Sequence, residues 1–112
     1  MAYDTDLADR IRELVATERG LDERRMFGGL AFLINGNMSV AASRKGGLMV
    51  RVPPAETESL TSDDRVSPMV MAGQPRRGWL YVEATADEDE WVEEWVTRGV
   101  TYARSLPPKK GR

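Results

Sequence analysis

An Asn-Gly pair between two apolar runs is the feature that most constrains how this chain folds. Residues 27–34 are dominated by apolar residues and β-formers, and residues 38–43 form a second run of the same kind. Asn35-Gly36 separates the two runs. A two-residue type I′ turn needs positive φ at both central positions, which Asn and Gly tolerate. The stretch therefore predicts an antiparallel hairpin.

The rest of the chain predicts helices and further strands. Apolar residues recur at helical spacing from Leu7 to Val15, which indicates a helix over residues 4–18, with Asp4 or Thr5 as its cap. Thr85 and Glu88 have the spacing of a capping box at the start of the last helix. The elements predicted after the hairpin are a strand (48–52), a short helix (54–60), two strands (66–71 and 79–83) and a last helix (85–106).

This order predicts the fold class. It runs helix, three strands, helix, two strands, helix, the pattern α-β-β-β-α-β-β-α. The 112 residues suit one domain over residues 1–112, an α+β layer sandwich with helices packed against an antiparallel sheet. Its last few residues, with Lys109, Lys110 and Arg112, are predicted to form a short basic tail. We expect most of Met26, Met38, Met49, Met69 and Met71 to lie in the core, with an adaptable surface as the alternative.

The absence of histidine and cysteine narrows the chemistry of the chain. Without them there is no disulfide, no thiolate or imidazole metal site, and no Ser-His-Asp or Cys-His catalytic arrangement. We therefore expect no catalytic residues, no cofactor and no metal, and a protein that is not an enzyme. The acidic run at residues 87–90 is interpreted as compensation of the helix dipole rather than as a cation site.

Charge and hydropathy give the expected location and partners. The N-terminus is acidic and amphipathic, unlike a signal peptide, and no apolar run approaches the ~20 residues that span a bilayer. We expect a cytoplasmic protein without a membrane partner. The net charge of −2 gives no overall electrostatic signature of nucleic-acid binding.

Two local features admit either a structural or a binding interpretation. Gly28-Gly29 precedes a strand rather than a helix, so we interpret it as a bulge or a close approach by another segment, such as the last helix, and not as a phosphate-binding loop. Trp91 and Trp95 stand one helical turn apart. We expect them in the core, with a partner interface as the alternative.

Two arginine pairs are the candidate contacts for an anion or a partner. They are Arg24-Arg25 and Arg76-Arg77, each placed just before a predicted strand and near glycine. Arginine at such a position can bind phosphate or carboxylate with two parallel hydrogen bonds. A solvated strand end is the structural alternative.

Four segments carry a resemblance to a known family. They are "RRMFGGLAFLINGNMSV", "GGLMVRV", "GWLYVEA" and "WVEEWVTRGVTYARSLPPKK". On these segments the chain resembles the TfoX N-terminal domain family, known also from the competence regulator Sxy. The resemblance implies a fold of the order derived above, similar to secretion chaperones. The motif residues with an expected structural role are Met26, Phe27, Gly28, Gly29, Asn35, Gly36, Asn37, Trp79, Trp91 and Trp95.

The resemblance also sets the functional expectation. In full-length competence regulators this domain precedes a C-terminal domain, and the pair acts as a transcriptional coactivator beside the cyclic-AMP receptor protein. We expect this sequence, which ends at Arg112, to lack that second domain. The leading hypothesis is a non-enzymatic regulatory module that offers its sheet face or an edge strand to a protein partner, by analogy in the transcription machinery, or to a second copy. Direct nucleic-acid binding through the arginine pairs is the alternative, and small-molecule binding or catalysis comes last.

Overall fold

An antiparallel sheet with two long helices on one face organises residues 3–26 and 28–109, the part of the chain that the computed structural model describes. Of Met71 only the backbone belongs to this part. The elements are α1 (Thr5–Val15), β1 (Leu21–Met26), β2 (Gly29–Ile34), β3 (Asn37–Ala42), β4 (Leu48–Arg51), a 3₁₀ turn (Pro54–Glu56), α2 (Thr57–Leu60), β5 (Val66–Met71), β6 (Gln74–Val82) and α3 (Asp89–Ser105).

Within the described residues the sheet has six strands in the order β1-β2-β3-β4-β6-β5, and each neighbouring pair is antiparallel. The predicted α+β class is confirmed, with one strand more than the five expected. The added strand is β1, whose four central residues are charged and exposed. Charged side chains are typical of an edge strand because they discourage pairing with another chain, and they hide the apolar alternation that would reveal it.

The predicted hairpin is confirmed in β2 and β3. Asn35 and Gly36 have φ of 53° and 85°, so both central residues are in the left-handed region that a type I′ turn requires. All six residues of each strand are buried. These two strands therefore lie at the centre of the fold, with both faces covered.

The helices cover one face of the sheet and form the larger core with it. Phe32 of β2 and Val40 of β3 are fully buried there against residues of α1 and α3. Gly99 brings α3 against β3, because a Cβ at this position would lie 2.5 Å from the Ser39 carbonyl oxygen. The last helix thus approaches the sheet closely at Gly99. At Gly29 the expected close approach of another backbone segment is confirmed, but the segment is β3, at the Ala42 carbonyl, and not the last helix.

The helix starts follow the predicted chemistry with shifted bounds. Asp4 caps α1, since its carboxylate accepts a hydrogen bond of 3.1 Å from the Leu7 amide. The box before α3 forms only in part: Glu88 accepts from the Thr85 amide at 3.0 Å, but the helix begins at Asp89, later than predicted. Glu88 also accepts a hydrogen bond of 2.6 Å from Arg65, which lowers the pKa of this carboxyl below its usual range.

Candidate functional site

The face of the sheet opposite the helices carries a second apolar cluster, and we call this surface the helix-free face. Strand residues alternate between faces, so Phe32 points to the helices and its neighbour Leu33 to the helix-free face. Every described member of the cluster lies on a strand. The buried members are Ala31, Leu33, Met38, Ala41 and Met49, and the partly buried ones are Met26, Met69 and Trp79.

All the methionines whose side chains are described lie in this cluster. Met38 and Met49 are buried, whereas Met26 and Met69 are partly exposed at its rim. The expected core position is therefore correct for two of them, and the adaptable-surface alternative describes the other two. Met71, the fifth methionine of that expectation, has a side chain outside the described part.

A cavity of about 340 Å³ opens in the helix-free face. Its floor includes Leu33, Met38 and Trp79. Residues of β1 and β6 line the same cavity although three strands separate them in the sheet. Three positively charged residues also line it, Arg24, Arg51 and Lys109, and none of its described lining residues is acidic.

Arg51 extends from the end of β4 and is held by aromatic rings. Its guanidinium carbon lies 5.0 Å from the centre of the Trp79 ring and 5.8 Å from that of Tyr102, within the range of cation–π attraction. Within the described residues Arg51 forms no ion pair. Stacking orients this arginine and leaves its hydrogen-bond donors available to a ligand.

Lys109 reaches the cavity because the C-terminal segment is tied to the β2–β3 turn. Its amide donates a hydrogen bond of 2.9 Å to the Asn35 carbonyl, and the Asn37 side-chain amide donates one of 3.0 Å to the Pro107 carbonyl. Gly36 leaves room for this approach, since a Cβ there would lie 2.9 Å from the Lys109 Cβ. The Asn-Gly-Asn motif thus forms the turn and also anchors the segment after α3.

Replacing Asn37 by Ala is expected to release this segment. Asn37 is buried, so the change removes a hydrogen bond that typically contributes about 1 kcal/mol and leaves the Pro107 carbonyl without its donor. We expect about fivefold faster hydrogen exchange at the Lys109 amide, measured by NMR, because a loss of about 1 kcal/mol raises the open population by about that factor. Asn37→Asp, which keeps the shape but loses the donor, should do the same. An unchanged Lys109 amide in both variants would show that the side chain does not hold the segment.

The structure does not bring the four predicted arginines together. Arg24 and Arg25 lie within β1 and Arg76 and Arg77 within β6, so the expectation that each pair precedes a strand is wrong. Arg24 lines the cavity and pairs with Asp22 at 3.1 Å. The other three are not among the cavity's lining residues.

The other three arginines of the two pairs, Arg25, Arg76 and Arg77, lie outside the lining of the cavity. Arg25 shares its face of β1 with Glu23, which accepts hydrogen bonds from Arg12 of α1, so Arg25 points away from the cavity. Arg77 donates hydrogen bonds of 3.1 and 3.0 Å to the Glu58 carboxylate and thereby lowers the pKa of this carboxyl. Arg76 is exposed near the β5–β6 turn.

The tryptophans divide between core and cavity. Trp95 is 3% exposed in the helix-side core, and Trp91 is partly buried beside it, with ring centres 5.9 Å apart and edge-to-face geometry. Trp91 donates a hydrogen bond of 2.8 Å to the Glu83 carbonyl. Only Trp79 of the three belongs to the helix-free face.

Arg51 and Lys109 are the cavity residues that sequence reasoning missed. Arg51 stands two residues after Met49, and this spacing places both on the same face of a strand. This signal follows from the prediction of residues 48–52 as a strand. Lys109 gives no such local signal, because its position depends on a contact between the chain end and a distant turn.

Of the two glycines in the motif, Gly28 lies in the turn between β1 and β2 and Gly29 is the first residue of β2. Gly28 has φ of 77° between β1 and β2, and a Cβ at Gly29 would overlap the Ala42 carbonyl oxygen of β3. A strand follows the pair, whereas a phosphate-binding loop would be followed by a helix. Phe27, also a motif residue, lies outside the described residues.

Over residues 3–26 and 28–109 no group of three or more His, Cys, Asp or Glu side chains is arranged to hold a metal ion. In the described part of the chain no helix combines the length and the apolar character needed to cross a membrane.

A comparison with known protein families identifies the family to which the chain is related. The model of the TfoX N-terminal domain matches residues 13–103, a stretch that includes every strand described above and most of α3. No curated protein and no solved structure gives a significant match. The family match covers well over half of the 112 residues. The chain therefore belongs to the TfoX N-terminal domain family.

Proposed function

We propose that this protein is a non-enzymatic regulatory module that binds a protein partner through its helix-free face. The observation that carries the proposal is the composition of that face. Met26 and Trp79 lie partly exposed in the cavity that Arg24 and Arg51 also line, and Met69 is a partly exposed member of the same apolar cluster. Methionine, tryptophan and arginine are the residue types enriched in protein interfaces, and methionine adapts its shape to a partner.

The chemistry of the cavity supports a binding role rather than catalysis. Its described lining residues include no carboxylate, hydroxyl or thiol, so a general base would have to be a lysine or arginine. The sequence contains no histidine or cysteine. Membership in a competence-related regulatory family agrees with this role, and we extend regulation of competence to this protein as part of the proposal.

The test compares two lysine substitutions in the same strand. Met26 and Leu21 are both partly buried in β1, but Met26 packs on the helix-free face and Leu21 on the helix-side core. Tagged wild-type, Met26→Lys and Leu21→Lys proteins are used to capture partners from the native lysate, with and without nuclease. We expect Met26→Lys to capture at least tenfold less partner than the wild type. The substitution removes an apolar contact and places a charge where the interface would bury it.

Three outcomes of this experiment would contradict the proposal. Capture that disappears with nuclease would indicate nucleic-acid binding instead. Equal losses in both variants, tracking their melting temperatures, would indicate unfolding rather than a lost interface. Undiminished capture by Met26→Lys would place the interface elsewhere.

Light scattering of the purified proteins tests whether the partner is a second copy of this chain. A dimer formed through the helix-free face should become a monomer in Met26→Lys.

A further inference from the structure

The cavity in the helix-free face combines positive charge with an apolar floor. Arg24, Arg51 and Lys109 come from β1, β4 and the segment after α3, so three separate parts of the chain converge on one volume. The floor beneath them includes Met38 and Trp79. A ligand that matches this volume has a negatively charged group beside an apolar group.

The contacts that Arg24 and Arg51 make within the protein indicate how readily each can bind an anion. The Arg24–Asp22 pair joins side chains that are 52% and 54% exposed, and pairs of this kind contribute little to stability. An incoming anion can therefore replace Asp22 at low cost. Arg51 is fixed by Trp79 and Tyr102 and pairs with no carboxylate in the described chain. It is the cation whose position is already set before a ligand arrives.

The geometry favours a carboxylate over the phosphates of a nucleic acid. The planar guanidinium of Arg51 matches a carboxylate with two parallel hydrogen bonds. A volume of about 340 Å³ holds one side chain or a few, whereas a nucleic acid needs a charged surface that follows its backbone. The remaining predicted arginines, Arg25, Arg76 and Arg77, do not extend the cavity into such a surface.

We infer that this cavity is the docking subsite for an acidic peptide segment of the partner, with the carboxylate at Arg51, Arg24 and Lys109 and an adjacent apolar side chain on Met38 and Trp79. The inference rests on the proposed function, since it names the chemistry of the partner that the helix-free face binds. Charge complementarity and the apolar floor select this occupant.

The first experiment measures the charge preference of the purified 112-residue protein. The probes are 2-naphthoate and 2-naphthamide, which share one ring system and differ in charge. We expect naphthoate to shift the Trp79 indole and Arg51 backbone signals in the ¹H–¹⁵N NMR spectrum and to bind at least tenfold more tightly than naphthamide. Added salt should reduce this advantage because it screens the exposed cations.

The matched variants are Arg51→Gln and Arg25→Gln. Both remove one positive charge from a strand, but only Arg51 lines the cavity. We expect Arg51→Gln to abolish the preference for naphthoate and Arg25→Gln to retain it. Equal affinity for the two probes, signals that map to another surface, or equal effects of the two variants would overturn the inference. Comparing the melting curves of both variants separates lost binding from lost folding.

A competition arm separates this inference from the proposed function. Saturating naphthoate should release the captured partner, and naphthamide should not. Capture that depends on Met26 while the probes show no charge preference would overturn the cavity inference and leave the proposed function standing. A charge preference without any protein partner would overturn the proposed function and the docking of a peptide, and would leave only the cavity's preference for anions.

Discussion

Replacing Phe32 by Ala is expected to lower the free energy of unfolding by about 3–5 kcal/mol, the usual cost of removing a large buried aromatic side chain. Phe32 is 0% exposed in the centre of β2, where it packs in the core beneath α1 and α3. Helices and strands enclose this site on all sides, so the neighbours can fill the space only in part. Urea denaturation followed by far-UV circular dichroism measures the change.

The neighbouring residue supplies the control for this prediction. Leu33 is 6% exposed and lines the cavity on the opposite face of the same strand. Leu33→Ala enlarges a space that already opens to solvent and is bordered by flexible methionines, so we expect a loss of about 2 kcal/mol, the lower end for such changes. A loss at Leu33 equal to that at Phe32 would mean that both faces are equally closed.

The sequence predicts the strands whose turn and apolar residues are local, and does not predict the strand that depends on tertiary pairing. The Asn-Gly turn and the apolar runs on either side specify β2 and β3, because the turn geometry and the burial pattern both appear in local sequence. The sequence does not predict β1, because the central residues of this strand, 22–25, are all charged. Its place in the sheet depends on pairing with β2, a tertiary contact that offsets its weak strand propensity.

The candidate site was predictable only where it follows from strand geometry. Arg24 and Arg25 are neighbours in the sequence, but adjacent residues of a strand point to opposite faces, so strand β1 separates their side chains. Arg51 shares its face with Met49 by the same rule. Lys109 is different, because hydrogen bonds from a distant turn place it at the cavity. No periodicity or local motif encodes that contact.

Substitution of Gly29, the second glycine of the Gly28-Gly29 pair, is expected to give the second large loss of stability. This residue is buried where β2 passes β3, and a side chain there would overlap the Ala42 carbonyl oxygen, a backbone atom that cannot move aside alone. We expect Gly29→Ala to cost about 2 kcal/mol, within the range for overpacked sites. Gly29→Asn should cost more, about 3 kcal/mol, because it adds volume and buries an amide.

Gly28 is expected to show the opposite order of the same two substitutions. Its φ of 77° is a conformation that asparagine tolerates better than alanine, and the nearest atom to an added Cβ belongs to the flexible Arg44 side chain. Gly28→Asn should therefore cost less than Gly28→Ala, whereas Gly29→Asn should cost more than Gly29→Ala. Chemical denaturation of the four variants tests this reversal. The same order at both positions would mean that one constraint, either backbone conformation or space, governs the whole pair. A reversal would show that the motif needs one glycine for its conformation and the next for its missing side chain.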